Sequence, residues 1–273
     1  LWLNKFDPRK VIERLPRATV FMGVPTLYTR MLAEPALTRE AASHMRLFIS
    51  GSAPLLAEAH QRFEEKTGQR ILERYGMTET GMLASNPLER ARKAGTVGPA
   101  LPDVQIRIAD EQGDPLPRGQ TGAVEVKGPN VFPGYWRRPE RRAEDFRPDG
   151  FFITGDVSKI DERGYIHIVG RAKDLVITGG YNVYPKEIEQ VLDDLPGVAE
   201  SAVIGVPHQD FGEAVTAVVV AKPGASLREA DLLATLKREL ANYKVPKRIV
   251  VVDDLPRNAM GKVQKNVLRQ QYG

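Results

Sequence analysis

The chain has 273 residues, of which 42% are hydrophobic and 27% are charged, a composition that is typical of a soluble globular protein and excludes intrinsic disorder. No apolar stretch approaches the roughly 20 residues that span a bilayer, so we expect no membrane partner. The chain contains no cysteine, which excludes disulfides and cysteine metal sites and favours a reducing, cytoplasmic compartment.

Charge and length set further expectations. The net charge is +4, but basic residues alternate with acidic ones and no basic patch with interleaved aromatic residues appears, so we expect no nucleic-acid partner. A polyanionic small molecule accounts for this mild excess of positive charge equally well. The length exceeds one compact core and predicts two domains. Because the chain starts at Leu1 and not at methionine, we expect it to be part of a longer protein.

Residues 1–94 alternate between predicted strands and helices. The strands are predicted at 18–22, 47–49 and 71–72, and the helices at 27–32 and 58–67. This alternation indicates an α/β arrangement with buried parallel strands. Loops at the carboxyl ends of such strands carry ligands, and both the segment 50–54 and the turn after Tyr75 occupy such positions.

From residue 95 the pattern changes to short strands separated by clusters of glycine and proline. The segments 104–108 and 123–127 alternate apolar and polar residues. This pattern predicts an antiparallel sheet or a distorted β-barrel over residues 95–172.

The last hundred residues have the pattern of a small α+β domain. Pro185 opens a predicted helix, and two β-rich runs follow it. Ser226 and Glu229 stand at capping-box spacing for a further helix. The sequence therefore predicts a large domain, 1–172, and a small domain, 173–273.

The segment 73–80 places an aromatic ring, a hydroxyl and a carboxylate close together at a predicted strand end. Tyr75 can stack on a base, Thr78 can bond a phosphate oxygen, and Glu79 can hold Mg²⁺, which prefers hard oxygen ligands and retains several waters. An ordinary capped loop explains the same residues, so this segment alone leaves both interpretations open.

Two later runs add polar groups of the same kind. Asp156 follows Gly155 at the end of an apolar run, and its carboxylate can accept both hydroxyls of a ribose, although Gly-Asp is also common turn chemistry. Arg171 and Lys173 follow the strand-like run 165–169, which places cations near the same sheet edge. Each of the two is also a typical solvated surface charge.

A fourth motif, Leu-Pro-Arg-Asn-Ala-Met-Gly-Lys-Val at 255–263, follows the runs 73–80, 152–156 and 170–174. The order and wording of the four resemble the AMP-forming acyl-CoA synthetases of the adenylate-forming superfamily, over nearly the whole chain. The resemblance implies an ATP-dependent carboxylate–CoA ligase that forms an acyl adenylate and pyrophosphate, and then acyl-CoA and AMP. It implies Mg²⁺, with ATP and coenzyme A as co-substrates.

The same resemblance implies roles for single residues. Lys262 is implied as the catalytic lysine together with Thr78 and Glu79, and Glu79 as the metal ligand. The domain hinge falls on Lys173, whereas Lys265 is predicted to be a solvated helix charge. The residues implied to contact ATP or AMP are Gly51, Ser52, Ala53, Pro54, Tyr75, Gly76, Met77, Thr78, Asp156, Ile168, Arg171 and Lys262.

Coenzyme A is implied to meet the loop Gly179, Gly180 and Tyr181. Gly180 allows close backbone approach because it has no Cβ. The alternative is an ordinary glycine pair between a strand and a loop.

The resemblance extends to the malonyl-CoA synthetase branch of the family in the segments 22–30, 44–55 and 261–266. It implies malonate or a related small dicarboxylate as the acid. Arg30 is the candidate for the distal carboxylate, since a guanidinium binds a carboxylate in a bidentate manner, and Ser52 is the second candidate acyl contact. Arg46 competes with Arg30 for this role.

One part of the family pattern is missing. No Gly/Ser/Thr-rich phosphate loop precedes these motifs, so we expect the chain alone to be inactive and the rest of its polypeptide to supply the loop. Another acyl- or aryl-CoA ligase, or an adenylation domain that loads a carrier protein, stays open as an alternative. A non-catalytic fragment that binds nucleotide is the alternative from another class.

Overall fold

The computed structural model describes residues 6–53, 55–258 and 261–273. The described chain divides into two compact units, the first ending at Ile168 and the second beginning at Val169. The predicted hinge residue Lys173 lies within the second unit, and its role as a hinge stays a prediction. Among the described residues, no helix has both the length and the apolar character that crossing a membrane requires.

The first part of the first unit has the predicted α/β arrangement. Its elements are α1 (Pro8–Ile12), β1 (Val20–Gly23), α2 (Pro25–Leu32), α3 (Arg39–Ala42), β2 (Leu47–Ser50), α4 (Ala57–Thr67), β3 (Ile71–Met77) and β4 (Gly81–Ser85). The strand order is β1-β2-β3-β4, with β1, β2 and β3 parallel and β4 antiparallel to β3. The prediction of parallel strands is confirmed.

Aromatic packing fixes the helices on this sheet. The rings of Phe48 and Phe63 lie 4.9 Å apart and those of Tyr28 and Phe63 5.4 Å apart, all in edge-to-face geometry. The buried Tyr28 hydroxyl donates to the carbonyl of Ile49 at 2.6 Å, so no buried donor is left unpaired there. Proline at the first position of α2 and left-handed Gly68 after α4 mark where these helices begin and end.

The rest of the first unit is an antiparallel sheet. Its elements are β5 (Gln105–Ala109), β6 (Gly122–Lys127), α5 (Glu140–Asp145), β7 (Phe152–Ile160) and β8 (Ile166–Arg171), in strand order β5-β6-β7-β8. The last three residues of β8 already belong to the second unit. The pairs β5–β6 and β6–β7 are antiparallel. Of the two arrangements predicted for residues 95–172, the described residues form the four-stranded sheet.

The second unit is the predicted small α+β body. Its elements are β9 (Val176–Thr178), β10 (Tyr181–Val183), α6 (Pro185–Asp193), β11 (Val198–His208), β12 (Gly212–Ala221), α7 (Glu229–Glu239), β13 (Arg248–Val252) and α8 (Lys265–Tyr272). Alternate residues of β11 and β12 face two separate cores. One core contains residues of α6 and α7, and the other contains Leu268 of α8.

The predicted capping box of α7 is wrong. The helix begins at Glu229, and Arg228 stands at the N-cap position without a side-chain cap. The Glu229 carboxylate instead accepts from the backbone amide of Ile249 on β13 at 2.9 Å. The Glu229 carboxylate therefore binds a backbone amide of another element, and not the helix end for which the local pattern predicted it.

The strand β11 lies at the end of its sheet, and two acidic side chains of α6 form hydrogen bonds with it. Glu189 accepts from the amide of Val203 at 2.9 Å, and Asp193 accepts from the hydroxyl of Ser201 at 2.7 Å. Pairing the free edge with side chains removes a template for unwanted strand addition. Burial raises the pKa of Asp193 to about 7, against the opposing effect of the Ser201 hydrogen bond.

The strand β3 requires a glycine at the position where it pairs with β4. A Cβ on Gly76 would overlap the carbonyl oxygen of Gly81 and would lie 2.9 Å from Cα of Met82. The register of β3 against β4 shifts between Tyr75 and Gly76, which brings the two backbones together.

We predict that Gly76→Ala destabilises the first unit by about 1 to 3 kcal/mol, because the methyl group meets backbone that cannot move aside. Thermal unfolding followed by circular dichroism should show a lower Tm than the native chain. Gly170→Ala is the matched control, since a Cβ there meets nothing within 4 Å. Equal Tm values for the two variants would contradict the packing argument.

We predict that Asp193→Asn stabilises the β11 edge at pH 8 and has little effect at pH 4. An ordinary aspartate has a pKa near 3.9, so between about pH 4 and pH 7 the folded chain keeps a proton that the unfolded chain has lost. Stability therefore falls as the pH rises through this window, and asparagine removes that dependence.

Hydrogen exchange of the β11 amides, corrected for the intrinsic pH dependence, measures this local stability. Asp231→Asn is the control, because Asp231 is 59% exposed on α7. A native-like pH slope in Asp193→Asn would show that Asp193 is not the titrating group.

Candidate functional site

Tyr75 and Asp156 meet in the structure although 81 residues separate them. The Tyr75 hydroxyl donates to Oδ2 of Asp156 at 2.6 Å. Tyr75 lies near the end of β3 in the first sheet, and Asp156 lies on β7 in the second, with only 5% of Asp156 exposed. Two of the residues predicted to bind nucleotide are therefore joined by one short hydrogen bond.

An irregularity in β7 directs Asp156 towards Tyr75. Gly155 has φ of +74°, a left-handed conformation that favours glycine, and the register of β6 against β7 shifts at this point. The Thr154 hydroxyl donates to the carbonyl of Val124 at 3.0 Å and accepts from the amide of Asp156 at 3.1 Å. Gly155 is therefore part of a β-bulge within β7, and not of the ordinary turn that was the alternative interpretation of Gly155 and Asp156.

The ring of Tyr75 and the side chain of Ile168 pack against the same apolar cluster, which contains Ala84, Val97 and Ile166. A flat aromatic ring and a branched aliphatic chain on one cluster form a suitable wall for a base. The structure thus brings together Tyr75, Asp156 and Ile168, three of the predicted nucleotide contacts.

Glu79 lies in the turn after β3 and is held by residues that the sequence did not single out. The Tyr135 hydroxyl donates to Oε1 of Glu79 at 2.7 Å, and the amide of Phe132 donates to the Glu79 carbonyl at 2.8 Å. The hydrogen bond to Glu79 raises the pKa of Tyr135 to about 12. In the sequence, the aromatic residues between glycine and proline near Tyr135 are the pattern that could have indicated this contact with Glu79.

These residues fit a Mg²⁺ ion that is bound through one carboxylate. Among the described residues, no group of three or more His, Cys, Asp or Glu side chains could hold a metal by itself. Mg²⁺ commonly takes one or two carboxylates together with waters and substrate phosphates. Glu79 supplies such a carboxylate, and the Thr78 side chain beside it is exposed.

The loop after β2 lies at the carboxyl end of the parallel strands. Ser52 has φ of +68°, which is uncommon for a residue other than glycine, and strain of this kind concentrates at functional sites. A Cβ on Gly51 would lie 3.5 Å from the side chain and the carbonyl of Arg74, so the loop runs beside β3. Ala53 is exposed, and the predicted contact Pro54 lies outside the described residues.

The two arginines that are candidates for binding the distal carboxylate are not at the carboxyl ends of the parallel strands. Arg30 is exposed in the last turn of α2, and its guanidinium lies 4.9 Å from the centre of the Phe6 ring. Arg46 precedes β2 and so lies at the amino end of the strand, opposite the Gly51 end. The assignment of Arg30 to a carboxylate stays a prediction.

In the second unit, Lys262 lies in a loop closed by its own backbone. We call the described residues Arg257, Asn258, Gly261, Lys262 and Val263 the lysine loop. Asn258 closes it with three hydrogen bonds: its amide donates to the Lys262 carbonyl at 2.9 Å, its carbonyl accepts from Gly261 at 2.9 Å, and its Oδ1 accepts from the Lys262 amide at 3.0 Å. Arg257 and Val263 form an antiparallel bridge at the base.

The cations on either side of Lys262 are paired. Arg257 forms an ion pair with Glu200, and Lys265 forms one with Glu189 at 2.5 Å. The prediction that Lys265 is a solvated charge is wrong, because its side chain is 18% exposed against a buried carboxylate. Among the described residues, no acidic side chain forms an ion pair with Lys262.

The predicted coenzyme A loop forms the turn between β9 and β10. Gly179 and Gly180 have φ of +56° and +81°, so both glycines are required by the turn. The Gly179 amide donates to the carbonyl of Phe211 at 2.9 Å. Tyr181 is 57% exposed and stacks on Tyr243 with ring centres 4.6 Å apart. An open glycine turn thus lies beside exposed aromatic rings.

Arg171 and Lys173 lie where β8 ends. Arg171 is the last residue of the strand, Lys173 lies in a single 3₁₀ turn at Ala172–Asp174, and both side chains are exposed. Asp174 accepts from the guanidinium of Arg269 on α8 at 2.9 Å.

Comparison with known proteins gives matches over most of the chain. The family model for AMP-binding enzyme matches residues 3–136, and the model for AMP-binding enzyme C-terminal domain matches residues 187–262. The structure of ATP-bound MatB from Rhodopseudomonas palustris is 64% identical, with a TM-score of 0.97 over 99% of this chain and 54% of that one.

Curated relatives give the same picture. The malonate–CoA ligase of Arabidopsis thaliana is 43% identical over 92% of this chain and 44% of its own length. The feruloyl-CoA synthase of Amycolatopsis sp is 41% identical over 99% of this chain and 55% of its own length. The chain spans about half the length of the curated relatives it matches.

The first family model contains the motif at 73–80, and the second contains all but the last residue of the motif at 255–263. The motifs at 152–156 and 170–174 lie between the two matched ranges. The chain therefore belongs to the AMP-binding enzymes, the adenylate-forming family of the AMP-forming acyl-CoA synthetases.

Proposed function

We propose that the protein containing this chain is an ATP-dependent carboxylate–CoA ligase. It joins a carboxylate to ATP to give an acyl adenylate and pyrophosphate, and then transfers the acyl group to coenzyme A with release of AMP. The contact between Tyr75 and Asp156 carries the proposal, because it builds an aromatic wall and a ribose acceptor at one edge of the fold.

The adenosine part of the nucleotide would use these two side chains together. The Tyr75 ring offers a face for adenine, and Asp156 offers its carboxylate to the ribose hydroxyls. Each carboxylate oxygen has two lone pairs, so the Tyr75 hydrogen bond orients Asp156 without using up its capacity as an acceptor. Backbone groups of Gly51 and Ser52 would line the same pocket.

The reaction requires positive charge because it brings two anions together. A carboxylate and a phosphate oxygen at about 4 Å repel each other by roughly 1 to 4 kcal/mol, depending on the local dielectric. Mg²⁺ bound at Glu79 would neutralise charge on the phosphates. The Lys262 ammonium would stabilise the charge that develops as the acyl oxygen attacks the α-phosphate, and such stabilisation is commonly the largest catalytic term.

The second step would use another part of the second unit. The thiolate of coenzyme A attacks the acyl carbon, a carbon–sulfur bond forms, and the bond to the AMP oxygen breaks. The turn at Gly179 and Gly180 lets the pantetheine arm approach the backbone, and the exposed ring of Tyr181 supplies apolar surface. We include in the proposal a rotation of the small domain about Lys173 between the two steps. Lys262 would act in the first step, and the turn at Gly179 and Gly180 would act in the second.

The proposed acid is malonate or a related small dicarboxylate, with Arg30 binding the distal carboxylate. The name of the Arabidopsis relative supports this substrate class. The name of the feruloyl-CoA synthase relative favours an aryl acid as the second candidate. The phosphate loop would come from further polypeptide, and a cytoplasmic location remains part of the proposal.

The substrate proposal is tested by pyrophosphate release from the full-length protein with ATP, Mg²⁺ and a panel of acids. We expect malonate to exceed acetate, methylmalonate, benzoate and octanoate, and Arg30→Ala to raise KM for malonate. This chain alone should release no pyrophosphate, because it lacks a phosphate cradle. A preference for benzoate would be consistent with the ligase reaction but would reject the proposal that the acid pocket binds a dicarboxylate.

The catalytic proposal is tested by Lys262→Ala in the full-length protein. We expect adenylate formation to fall by about 10²- to 10³-fold with ATP binding retained, since the variant loses a charge that acts in the transition state. Lys237→Ala, which removes an exposed lysine from α7, is the control. Unchanged adenylate formation in Lys262→Ala would reject the role of this lysine.

A further inference from the structure

Arg257 and Lys265 lie on either side of Lys262 and are tied to different elements of the second unit. Arg257 pairs with Glu200 on β11, and Lys265 pairs with Glu189 on α6. One cation precedes the lysine by five positions and the other follows it by three. Arg257 thus anchors the first residue of the lysine loop, and Lys265 anchors the start of α8, two residues after the loop ends. Lys262 between them forms no ion pair among the described residues.

The anchor on the α6 side is rigid. Glu189 is only 6% exposed, and its Oε1 accepts both from Lys265 Nζ at 2.5 Å and from the backbone amide of Val203 at 2.9 Å. A carboxylate that is shared between a side chain and a strand amide has few alternative positions. Lys265 is therefore attached, through Glu189, to the backbone of β11.

The anchor on the β11 side reaches the loop backbone directly. Glu200 lies on the same face of β11 as Ala202 and Ile204, which pack with Leu268 of α8. The Arg257 guanidinium pairs with Glu200 and also donates from Nη1 to the carbonyl of Gly261 at 2.9 Å. This one side chain therefore joins the sheet to the residue that precedes Lys262.

General stabilisation does not explain why both pairs converge on one loop. The Arg257–Glu200 pair is only partly buried, with Arg257 25% and Glu200 30% exposed, and ion pairs of this kind contribute little to stability. In the Lys265–Glu189 pair the carboxylate is buried, so removing Lys265 also costs stability, and measuring both half-reactions separates that loss from a loss of positioning. A geometric role has a larger expected effect, since misplacing a catalytic group by about 1 Å costs on the order of 10²-fold in rate.

We propose that Arg257 and Lys265 are positioning residues that hold Lys262 at the geometry needed for adenylate formation, through their ion pairs with Glu200 and Glu189. This inference rests on the proposed role of Lys262. In this proposal the positive charges of Arg257 and Lys265 hold the structure of the loop, and the positive charge of Lys262 acts on the reacting phosphate.

The test separates the two half-reactions in the full-length protein. In Arg257→Met and Lys265→Met we expect kcat for malonate-dependent exchange of pyrophosphate into ATP to fall about tenfold, with KM values nearly unchanged. Transfer of the acyl group from preformed malonyl adenylate to coenzyme A should keep its native rate. General misfolding would lower both half-reactions.

Two further measurements keep the test independent of folding. Hydrogen exchange at the amides of Gly261 and Lys262 should quicken in Arg257→Met, because both amides depend on the closed loop. Arg257→Lys and Lys265→Arg retain the charges and should recover most of the rate. Arg228→Met is the matched control, since it breaks the exposed pair with Asp231 in the same unit.

Two outcomes overturn the inference. Adenylate formation in Arg257→Met and Lys265→Met that equals that of Arg228→Met would show that the pairs do not position Lys262. An equal loss in both half-reactions would assign the pairs to general stability. Lys262→Ala is measured in parallel. If Lys262→Ala is impaired while Arg257→Met and Lys265→Met form the adenylate normally, only the positioning inference is rejected. If Lys262→Ala itself forms the adenylate normally, the proposed function of Lys262 is rejected.

Discussion

The hydrogen bond between Tyr75 and Asp156 joins the two sheets of the first unit at the point where each has its irregularity. On one side, β3 comes so close to β4 that only glycine fits at Gly76. On the other, a left-handed Gly155 turns Asp156 inwards from β7. The tyrosine and the carboxylate lie on separate sheets, and these two backbone features occur where the side chains come within hydrogen-bond distance. The Tyr75 ring packs on the same apolar cluster as Ile168, and Glu79 follows Tyr75 by four residues in the turn after β3.

The distribution of paired and unpaired charge follows the chemistry that the family performs. A reaction between two anions needs cations that are not already neutralised by the protein. In the second unit Arg257 and Lys265 are paired with carboxylates, whereas Lys262 forms no ion pair with an acidic residue among the described residues, as the proposed role of Lys262 requires. In the first unit the neutral hydroxyl of Tyr135 donates to the Glu79 carboxylate, so this contact leaves the negative charge of Glu79 in place. In both units, therefore, the charge to which we assign a role in the proposed reaction has neighbours that are uncharged or already paired.

Much of the fold could be predicted because it depends on local patterns. The parallel strands, the antiparallel sheet and the helix opened by Pro185 each follow from periodicity and from proline and glycine positions. Failures occurred where a distant residue competes with a local one. The capping box at Ser226 and Glu229 did not form because Ile249 takes the carboxylate, and Lys265 is not solvated because Glu189 lies beside it. The hydrogen bond from Tyr135 to Glu79 joins residues 56 positions apart, and no periodic pattern in the sequence predicts it.

The sequence by itself determined which chemical groups are present and to which family they belong, since four short motifs in fixed order carry the ring, the hydroxyl and the carboxylates. Residue type and order are local properties that a chain displays without folding. Only the tertiary structure decided which of these groups meet and which charges are neutralised. Hydrogen bonds and ion pairs require atoms within about 3 to 4 Å, and a distance of that kind between Tyr75 and Asp156 or between Lys265 and Glu189 arises only when strands and helices pack.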